Sequence, residues 1–336
     1  MIDFRYHVVS LVSVFLALAV GIVLGAGPLN EGISTGITDQ VRQLTQEKDQ
    51  LRTERDQALA VGEAQDAWAE AVAPAVVQRQ LAGRAVAVVE LPGADSSQAD
   101  AAVEVLEQSG ASVSARVTVQ DEWTAQAQQG VRAGAAAELS AQLGAAPAGA
   151  GGTTGEATDG AGGTGTDADP GSVLAEALAR ALVTREPAQA VVTDPAAAAL
   201  LTTLTGAGLV EAEGEVTQRG TLVVLVGGAA DPDATEGQAD ADSAAWSALA
   251  QRFDAAAAGS VVAGPTEAAD GAGAVAAVRA DSAVAGQVST VDDLDTAVGR
   301  VNVVLALREQ LAGDAGQYGT GAGASAVAPP LPAAAP

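Results

Sequence analysis

Residues 85–119 read AVAVVELPGADSSQADAAVEVLEQSGASVSARVTV, and this stretch decides the fold. Its start, Ala85–Leu91, is a short apolar run closed by Pro92-Gly93, which predicts a buried strand followed by a turn. Ser96–Gln108 carries its apolar residues on one face and predicts a helix, while the alternation in Ala111–Val119 predicts a second strand. Strand, helix and strand at this spacing form a βαβ unit, which requires a sheet that is at least partly parallel.

Strand and helix patterns continue to alternate downstream of this unit. The further strands predicted are Ala188–Thr193, Thr221–Val226, Ser260–Ala263 and Gly286–Val291. The helices predicted between and after them are Pro195–Leu204, Asp242–Ala258, Ala272–Arg279 and Thr296–Leu311. We therefore predict an α/β fold, a three-layer domain with a mostly parallel sheet, over residues 84–312.

Two stretches have a composition that does not build a packed core. Residues 144–171 consist mainly of Gly, Ala, Thr and Asp, which predicts a disordered insertion within the domain. Residues 313–336 end in an Ala/Pro-rich segment and are predicted to form a disordered tail. The acidic stretch Asp231–Asp242 is predicted to be a solvated loop.

The N-terminal region contains a long apolar run. Val8–Ala26 has 19 residues and no charge, a length that spans about 28 Å as an α-helix. We predict a transmembrane helix over residues 8–27, and its anchoring side chains include Val8, Phe15, Val20 and Leu24. A cleaved signal peptide and a buried helix are the alternatives. The run is longer than the apolar part of most signal peptides, which favours an uncleaved anchor.

The charges around this run predict its orientation. Arg5 precedes it, and the first charge after it is Glu31. The positive-inside rule then places residues 1–7 in the cytoplasm and the remainder outside. The predicted localisation is a single-pass protein of the cell membrane with a large extracytoplasmic domain.

Residues 35–80 read as a helical stalk. Ile37, Leu44, Leu51 and Ala58 recur every seven residues, and Val41 begins a second row four residues after Ile37. Such a seam is typical of a coiled coil, although Lys48 and Arg55 place charges in that second row. Two interpretations stay open: a short parallel coiled coil that makes the protein a homo-oligomer, and a monomeric helix lying on the domain.

The composition excludes several classes of function. There are 16 basic and 42 acidic residues, a net charge of −26, so nucleic acid is not an expected partner. The chain has no Cys and a single His, His7, which lies next to the apolar run. Outside the membrane this leaves no imidazole base and no thiol nucleophile. We predict that the protein is not an enzyme and has no cofactor, catalytic or metal site.

Three motifs bear on that prediction without overturning it. Gly160, Gly162 and Gly165 match G-x-G-x-x-G, but no strand precedes them, as a phosphate-binding turn requires. Asp231, Asp233 and Asp242 loosely resemble a calcium loop, but Glu236 occupies the position that needs glycine, so a solvated loop is favoured. Asp292, Asp293 and Asp295 could form a carboxylate cluster. Capping of the helix that starts near Thr296 is favoured instead.

Four segments carry a resemblance to a known family. They are Met1–Gly25, Val89–Asp95, Val288–Thr296 and Gly316–Gly321, and together they resemble the mycobacterial copper transport protein B (MctB) family of actinobacteria. The resemblance runs from residue 1 to about residue 325, without the low-complexity insertion. The residues of its internal motifs singled out here are Pro92, Gly93, Ser289, Thr290, Val291, Asp292, Tyr318 and Gly319.

The resemblance implies a role in copper homeostasis or copper efflux. It also implies the outer membrane as a location. The expected function is that of a non-enzymatic single-pass envelope protein. The alternative is a structural or scaffolding protein that holds other envelope proteins through its stalk and acidic domain. An α/β enzyme using carboxylates is a third hypothesis. Copper favours thiolate, thioether and imidazole ligands, and beyond Met1 and His7 the sequence has none.

Overall fold

The computed structural model describes residues 4–25, 29–145, 169–187 and 194–331. The chain forms two compact units, 1–65 and 66–336. The first contains helix α1 (Phe4–Gly25) and most of helix α2 (Leu29–Val77). The second contains the end of α2 and the α/β domain.

The α/β domain has seven strands and, after α2, eight α-helices among its described residues. The strands are β1 (Ala85–Glu90), β2 (Ser112–Val119), β3 (Val210–Ala212), β4 (Leu222–Val226), β5 (Ser260–Ala263), β6 (Ser289–Val291) and β7 (Gln317–Tyr318). The helices are α3 (Ser96–Gln108), α4 (Gln129–Ala145), α5 (Pro170–Leu182), α6 (Pro195–Gly206), α7 (Glu236–Ala256), α8 (Ala274–Ala280), α9 (Ser282–Ala285) and α10 (Ala297–Gln310).

The strands form one sheet in the order β3-β2-β1-β4-β5-β6-β7. Every neighbouring pair is parallel except β2 and β3, which are antiparallel. This confirms the predicted α/β fold with a mostly parallel sheet. The strand order also reverses between β1 and β4, since β2 lies on one side of β1 and the later parallel strands lie on the other.

Two hydrophobic cores cover the two faces of the sheet and make three layers. Val89 and Leu225 point into the core shared with α4, α5, α6, α7 and α8. Val88 and Val224, their neighbours in sequence, point into the core shared with α3, α10 and the end of α2. Because alternate side chains of a strand face opposite sides, strands buried on both faces read as continuous apolar runs.

The end of α2 packs as part of the domain, whereas we predicted a stalk as far as residue 80. Ala69, Ala73 and Val77 are buried there. Pro74 lies inside the helix, which ends one turn later at Val77.

Residues 313–331 are ordered, in contrast to the predicted disordered tail of 313–336. β7 adds a parallel edge to β6. Asn302 Nδ2 donates to the Val327 carbonyl at 2.9 Å, and Arg308 Nη2 donates to the Pro330 carbonyl at 2.9 Å. Side chains of α10 thus hold a segment whose own composition carries no strand or helix pattern. Residues 332–336 lie outside the described residues.

Other predicted segments lie partly or wholly outside the described residues. Most of the insertion, residues 146–168, and the strand predicted at 188–193 lie outside them. Residues 144 and 145 end α4, and residues 170 and 171 begin α5 behind the cap Asp169. The acidic stretch Asp231–Asp242 is a loop only in its first half, because Thr235 caps α7 at Glu236.

Candidate functional site

The predicted anchor residues all lie on α1. Val8, Phe15, Val20 and Leu24 are exposed, and no residue of α1 is buried. Among the helices that the structure describes, α1 is long and apolar enough to cross a membrane by length and composition. An exposed apolar surface of this size is typical of a helix whose environment is lipid.

The predicted stalk seam lies on α2. Val41, Leu44, Leu51 and Ala58 are exposed there; Leu44 and Leu51 each show more than 60% of their surface, at 63% and 64%. Ile37 belongs to the same helix, but its side chain is outside those described. The coiled coil stays a prediction, because the structure contains one copy of the chain.

The three internal motifs lie at one edge of the sheet. Pro92 and Gly93 follow β1, Ser289–Asp292 comprises β6 and the residue after it, and Tyr318 and Gly319 end and follow β7. β1, β6 and β7 run parallel within the same sheet, so their carboxyl ends share an edge. Segments that are far apart in sequence are thereby brought to one side of the domain.

Arg279 and Asp292 form a buried ion pair at the β6–β7 end of this edge. Arg279 Nη1 lies 2.6 Å from Asp292 Oδ2, and the two side chains are 6% and 0% exposed. Arg279 also donates through Nε to Thr290 Oγ1 at 2.8 Å and through Nη2 to the Tyr318 carbonyl at 2.9 Å. The backbone N–H groups of Thr320 and Gly321 donate to Asp292 Oδ1 at 2.8 and 2.9 Å. The geometry satisfies both charges, as burial requires.

Glycine is needed where the chain passes over this pair. Gly319 has φ +125°, and a Cβ there would lie 2.1 Å from Asp292 Oδ1. Next to it, the Tyr318 hydroxyl donates to Glu309 Oε2. Burial first, and then this hydrogen bond, raise the pKa of Tyr318. The motif residues at this end therefore lock β7 and the following turn onto β6, a structural role.

Asp293 is buried beside this pair, and no described residue forms an ion pair with it. The residue is 6% exposed, and its Oδ1 makes no hydrogen bond with any described residue. Burial first, and then the charge of Asp292, raise its pKa from 3.8 to about 6. The Thr296 hydroxyl accepts from the Gly299 N–H at 3.0 Å and caps α10. The prediction that the aspartates cap this helix is wrong, because the sheet edge holds Asp292 and Asp293.

A second charged cluster joins β1 to β2. Glu90, the last residue of β1, is 6% exposed, and its Oε1 accepts from Arg116 Nε at 2.6 Å. Arg116 Nη1 also lies 2.5 Å from Asp100 Oδ1 on α3. This cluster accounts for Glu90 in the Val89–Asp95 motif, because its carboxylate pairs with Arg116 on the neighbouring strand β2.

A cleft opens at the carboxyl ends of β1 and β4, where the strand order reverses. Its volume is about 630 Å³. It is lined by Pro92, Gly93, Asp121, Thr124, Ala125, Gly228, Ala229, Ala230, Asp231, Pro232, Gln238, Asp242, Trp246, Ala272 and Ala274. Open α/β sheets bind ligands in crevices at this position. We call it the switch-point cleft.

Two helices that start beside the switch-point cleft, α3 and α7, are capped by the protein's own side chains. Asp95 Oδ1 accepts from the Ser97 N–H at 2.9 Å and caps α3. Hydrogen bonds from the Ser97 side chain and then its backbone lower the pKa of Asp95. Thr235 caps α7. In dinucleotide-binding sheets the pyrophosphate lies at the N-terminus of the helix after the first strand, and Asp95 already accepts from that end of α3, so the cleft does not fit a dinucleotide.

The residues considered for calcium do not converge. Asp231 Oδ1 accepts from the Asp233 N–H at 2.9 Å, which closes a local turn. Asp242 lies on α7 and accepts from Gln238 Nε2 at 2.7 Å. Over the described ranges, no three His, Cys, Asp or Glu residues group as a metal site would require. Gly160, Gly162 and Gly165 fall outside those ranges.

The sequence did not predict which side chains pair with each other at this edge or which residues line the cleft. No pattern in the sequence around Arg279 predicts that it pairs with Asp292 or donates to the Tyr318 carbonyl. The cleft residues Asp121 and Trp246 were equally unforeseen. The signal that was present is Gly227-Gly228 directly after the apolar run of β4, because paired glycines after a buried strand mark close backbone approach.

Comparison with known proteins gives one consistent result. The model of the family described as "Copper transport outer membrane protein, MctB" matches residues 1–329. The protein named "Copper transporter MctB" of Mycobacterium tuberculosis (strain ATCC 25618 / H37Rv) is 32% identical over 332 residues, covering 97% of this chain and 99% of the relative. Its namesake in Mycobacterium leprae (strain TN) is 30% identical over 343 residues, covering 98% and 100%.

These matches cover both the apolar N-terminal helix and the α/β domain with its three motifs, so the similarity is not confined to one part of the chain. The resemblance found in the sequence is confirmed. The chain belongs to the MctB family of copper transport outer membrane proteins.

Proposed function

We propose that this protein acts in copper homeostasis as a non-enzymatic, single-pass envelope protein that promotes copper efflux. The observation that carries the proposal is family membership over nearly the whole chain, with relatives that are named copper transporters. The membrane-length helix α1 supports a location in a membrane.

The proposed topology places the N-terminus in the cytoplasm and the α/β domain outside. Arg5 before α1 and Glu31 as the first charge after the apolar run support this orientation. Mass spectrometry of the mature N-terminus tests whether the helix is retained, and a mature start between residues 22 and 28 would contradict it. Protease treatment of spheroplasts then tests the side, since an external domain is digested without lysis.

The non-enzymatic part of the proposal rests on where the ionisable groups are engaged. The buried charges Asp292 and Glu90 are paired with Arg279 and Arg116 in structural contacts. His7, the one imidazole of the chain, lies on the apolar helix α1. Two hydroxyls among the described residues do donate to carboxylates, Ser97 to Asp95 and Tyr318 to Glu309, but the first pair belongs to the cap of α3 and the second fastens β7 to α10, which favours transport or binding over catalysis.

Deleting the gene and measuring cell copper under copper stress tests the proposed function. The deletion strain is expected to hold more copper and to tolerate less, and the intact chain is expected to restore both. A matched control is the chain without residues 1–27, which keeps the α/β domain and lacks the anchor. Unchanged copper content and tolerance after deletion would contradict the proposal.

A second candidate function is self-association or scaffolding through α2. It is favoured by the exposed apolar residues Val41, Leu44 and Leu51 on one helix, which is an unusual surface for a solvated monomeric helix. Crosslinking in membranes followed by pull-down separates the alternatives. A self-crosslink of twice the chain mass supports a homo-oligomer, and crosslinks to other envelope proteins support a scaffold.

A further inference from the structure

The switch-point cleft has the features of a small-molecule site and is used by nothing described above. Its volume of about 630 Å³ falls within the range of ligand pockets. It lies where the strand order reverses between β1 and β4, the position at which open α/β sheets bind ligands. The Arg279–Asp292 pair is at another part of the edge, beyond β5.

Backbone packing fixes the floor of the switch-point cleft. A Cβ on Gly228 would lie 2.0 Å from the Gly93 carbonyl oxygen, so the loops after β1 and β4 are in direct contact. A Cβ on Gly227 would lie 2.2 Å from the Ala274 Cβ, which brings in the start of α8. Three segments therefore meet in close contact at the floor of the cleft.

The charge in the lining is of one sign. Asp121, Asp231 and Asp242 contribute three carboxylates, and no Lys or Arg is among the lining residues that the structure describes. None of these carboxylates makes an ion pair with another described residue. Asp242 lies one turn from Trp246, which is 6% exposed, so its charge borders an apolar wall. Low polarity at that wall strengthens attraction for a cation.

The same lining excludes other ligand classes. Phosphates and carboxylates would meet the like charge of Asp121, Asp231 and Asp242. A divalent metal would need several oxygen ligands converging on one point, and no such grouping is present among the described residues. A positively charged organic group fits, because its charge can face Asp242 while its carbon atoms contact Trp246 and the alanines.

We propose that the switch-point cleft binds a small organic cation, an amine or guanidinium compound, with Asp242 as its charged contact. Thr124 and the loop after β4 also line the cleft and contain further oxygen acceptors. This site is separate from the proposed role in copper homeostasis and does not depend on it.

Calorimetric titration of the detergent-solubilised full chain with agmatine tests this proposal. Asp242→Asn removes the charged contact and keeps an acceptor for Gln238 Nε2. The matched control is Asp240→Asn, which removes the same charge from the same helix at an exposed position outside the lining. Because both variants change the net charge equally, the general attraction of a −26 protein for cations cancels between them. Circular dichroism checks that both are folded.

The expected result is saturable binding of one agmatine, weakened at least about fivefold by Asp242→Asn and less than twofold by Asp240→Asn. Unsaturable binding, or an equal loss in both variants, would show a diffuse ionic effect and overturn the site. Tight binding of glutamate in the same titration would overturn the cationic class. Stoichiometric Mg²⁺ binding lost in Asp242→Asn would overturn the organic class in favour of a metal.

Discussion

At the scale of single residues, two buried aspartates at the carboxyl edge of the sheet differ in how their charge is compensated. Asp292 is compensated by Arg279 and by two backbone N–H groups. Its neighbour Asp293 is buried, and among the described residues it has no counter-ion and its Oδ1 has no hydrogen bond. Removing either Arg279 or Asp292 would therefore leave the other charge buried and uncompensated. For Asp293, burial makes the charged form of the carboxyl unfavourable.

Arg279→Met is expected to lower the free energy of unfolding by about 3–5 kcal/mol, because it leaves Asp292 buried and uncompensated. The matched control Arg180→Met breaks a half-exposed i,i+4 pair with Glu176 and is expected to cost less than about 1 kcal/mol. Urea unfolding followed by circular dichroism measures both. Equal small losses in the two variants would show that the buried pair does not hold β6 and β7 together.

Asp293 gives a prediction for pH dependence. Its folded-state pKa of about 6 is above the value of 3.8 for the unfolded chain, so the folded state binds the extra proton between about pH 4 and 6. Stability therefore falls as the pH rises through that window. A shift of this size corresponds to roughly 3 kcal/mol at most.

Asp293→Asn removes the charge and is expected to stabilise the protein at pH 7 by about 1–3 kcal/mol, with the difference shrinking towards pH 4. Unfolding curves at pH 4, 5, 6 and 7 measure it, with Asp240→Asn as the control for loss of one exposed carboxylate. A destabilised Asp293→Asn protein at pH 7 would mean that the carboxylate has a partner the protein needs.

Much of this residue-level detail could not be predicted from the sequence. The Val288–Thr296 and Gly316–Gly321 motifs were visible, but the contact between them depends on β7 pairing with β6. A strand of two residues has no readable periodicity, so the pairing is set by tertiary contacts such as Arg279 with the Tyr318 carbonyl. The need for glycine at 319 follows from its positive φ and its close approach to Asp292, which exist only once β7 is paired.

At the scale of elements, long periodic segments were predicted well. Ser96–Gln108 is α3 as predicted, and Ser260–Ala263 is β5 as predicted. Both have clear patterns and clear stop signals. β3 was missed, because an edge strand of three residues with one buried side chain leaves no pattern. The strand order was not predictable, since it depends on which crossover passes over which face.

The exposed seam of α2 carries the prediction for self-association. Leu44→Asp combined with Leu51→Asp is expected to convert an oligomer to a monomer, because charges would replace two exposed apolar side chains that a coiled coil would bury. Gln46→Asp, on the opposite face of the same helix, is the matched control and should leave the oligomer intact. Sedimentation in detergent measures the mass. A monomer before mutation would favour the helix without a coiled coil.

At the scale of the whole molecule, charge and ligand chemistry predict how copper is handled. Forty-two acidic residues give a field that attracts cations, but Met1 and His7 are the only thioether and imidazole in the chain. We expect copper(II) to bind the detergent-solubilised full chain weakly and to be displaced by salt. Copper(I), which prefers sulfur, is expected to bind less.

Titration with copper(I) and copper(II) at low and high salt, with magnesium as comparison, checks this expectation. His7→Ala is the matched variant, since it removes the one imidazole. A tight, salt-insensitive and stoichiometric copper site in the wild-type chain would contradict it. Loss of that site in His7→Ala would place it at the N-terminus, and its retention would place it among carboxylate or backbone oxygens.

The central claim, that this family member promotes copper efflux from the cell, is tested most directly by the rate at which cells lose copper. Cells of the deletion strain, with and without the intact chain, are loaded with copper and moved to copper-free medium, and cell copper is followed by mass spectrometry. Cells carrying the chain are predicted to lose copper faster from the same starting content. Equal rates in the two strains, with the protein present in the membrane, would contradict the claim.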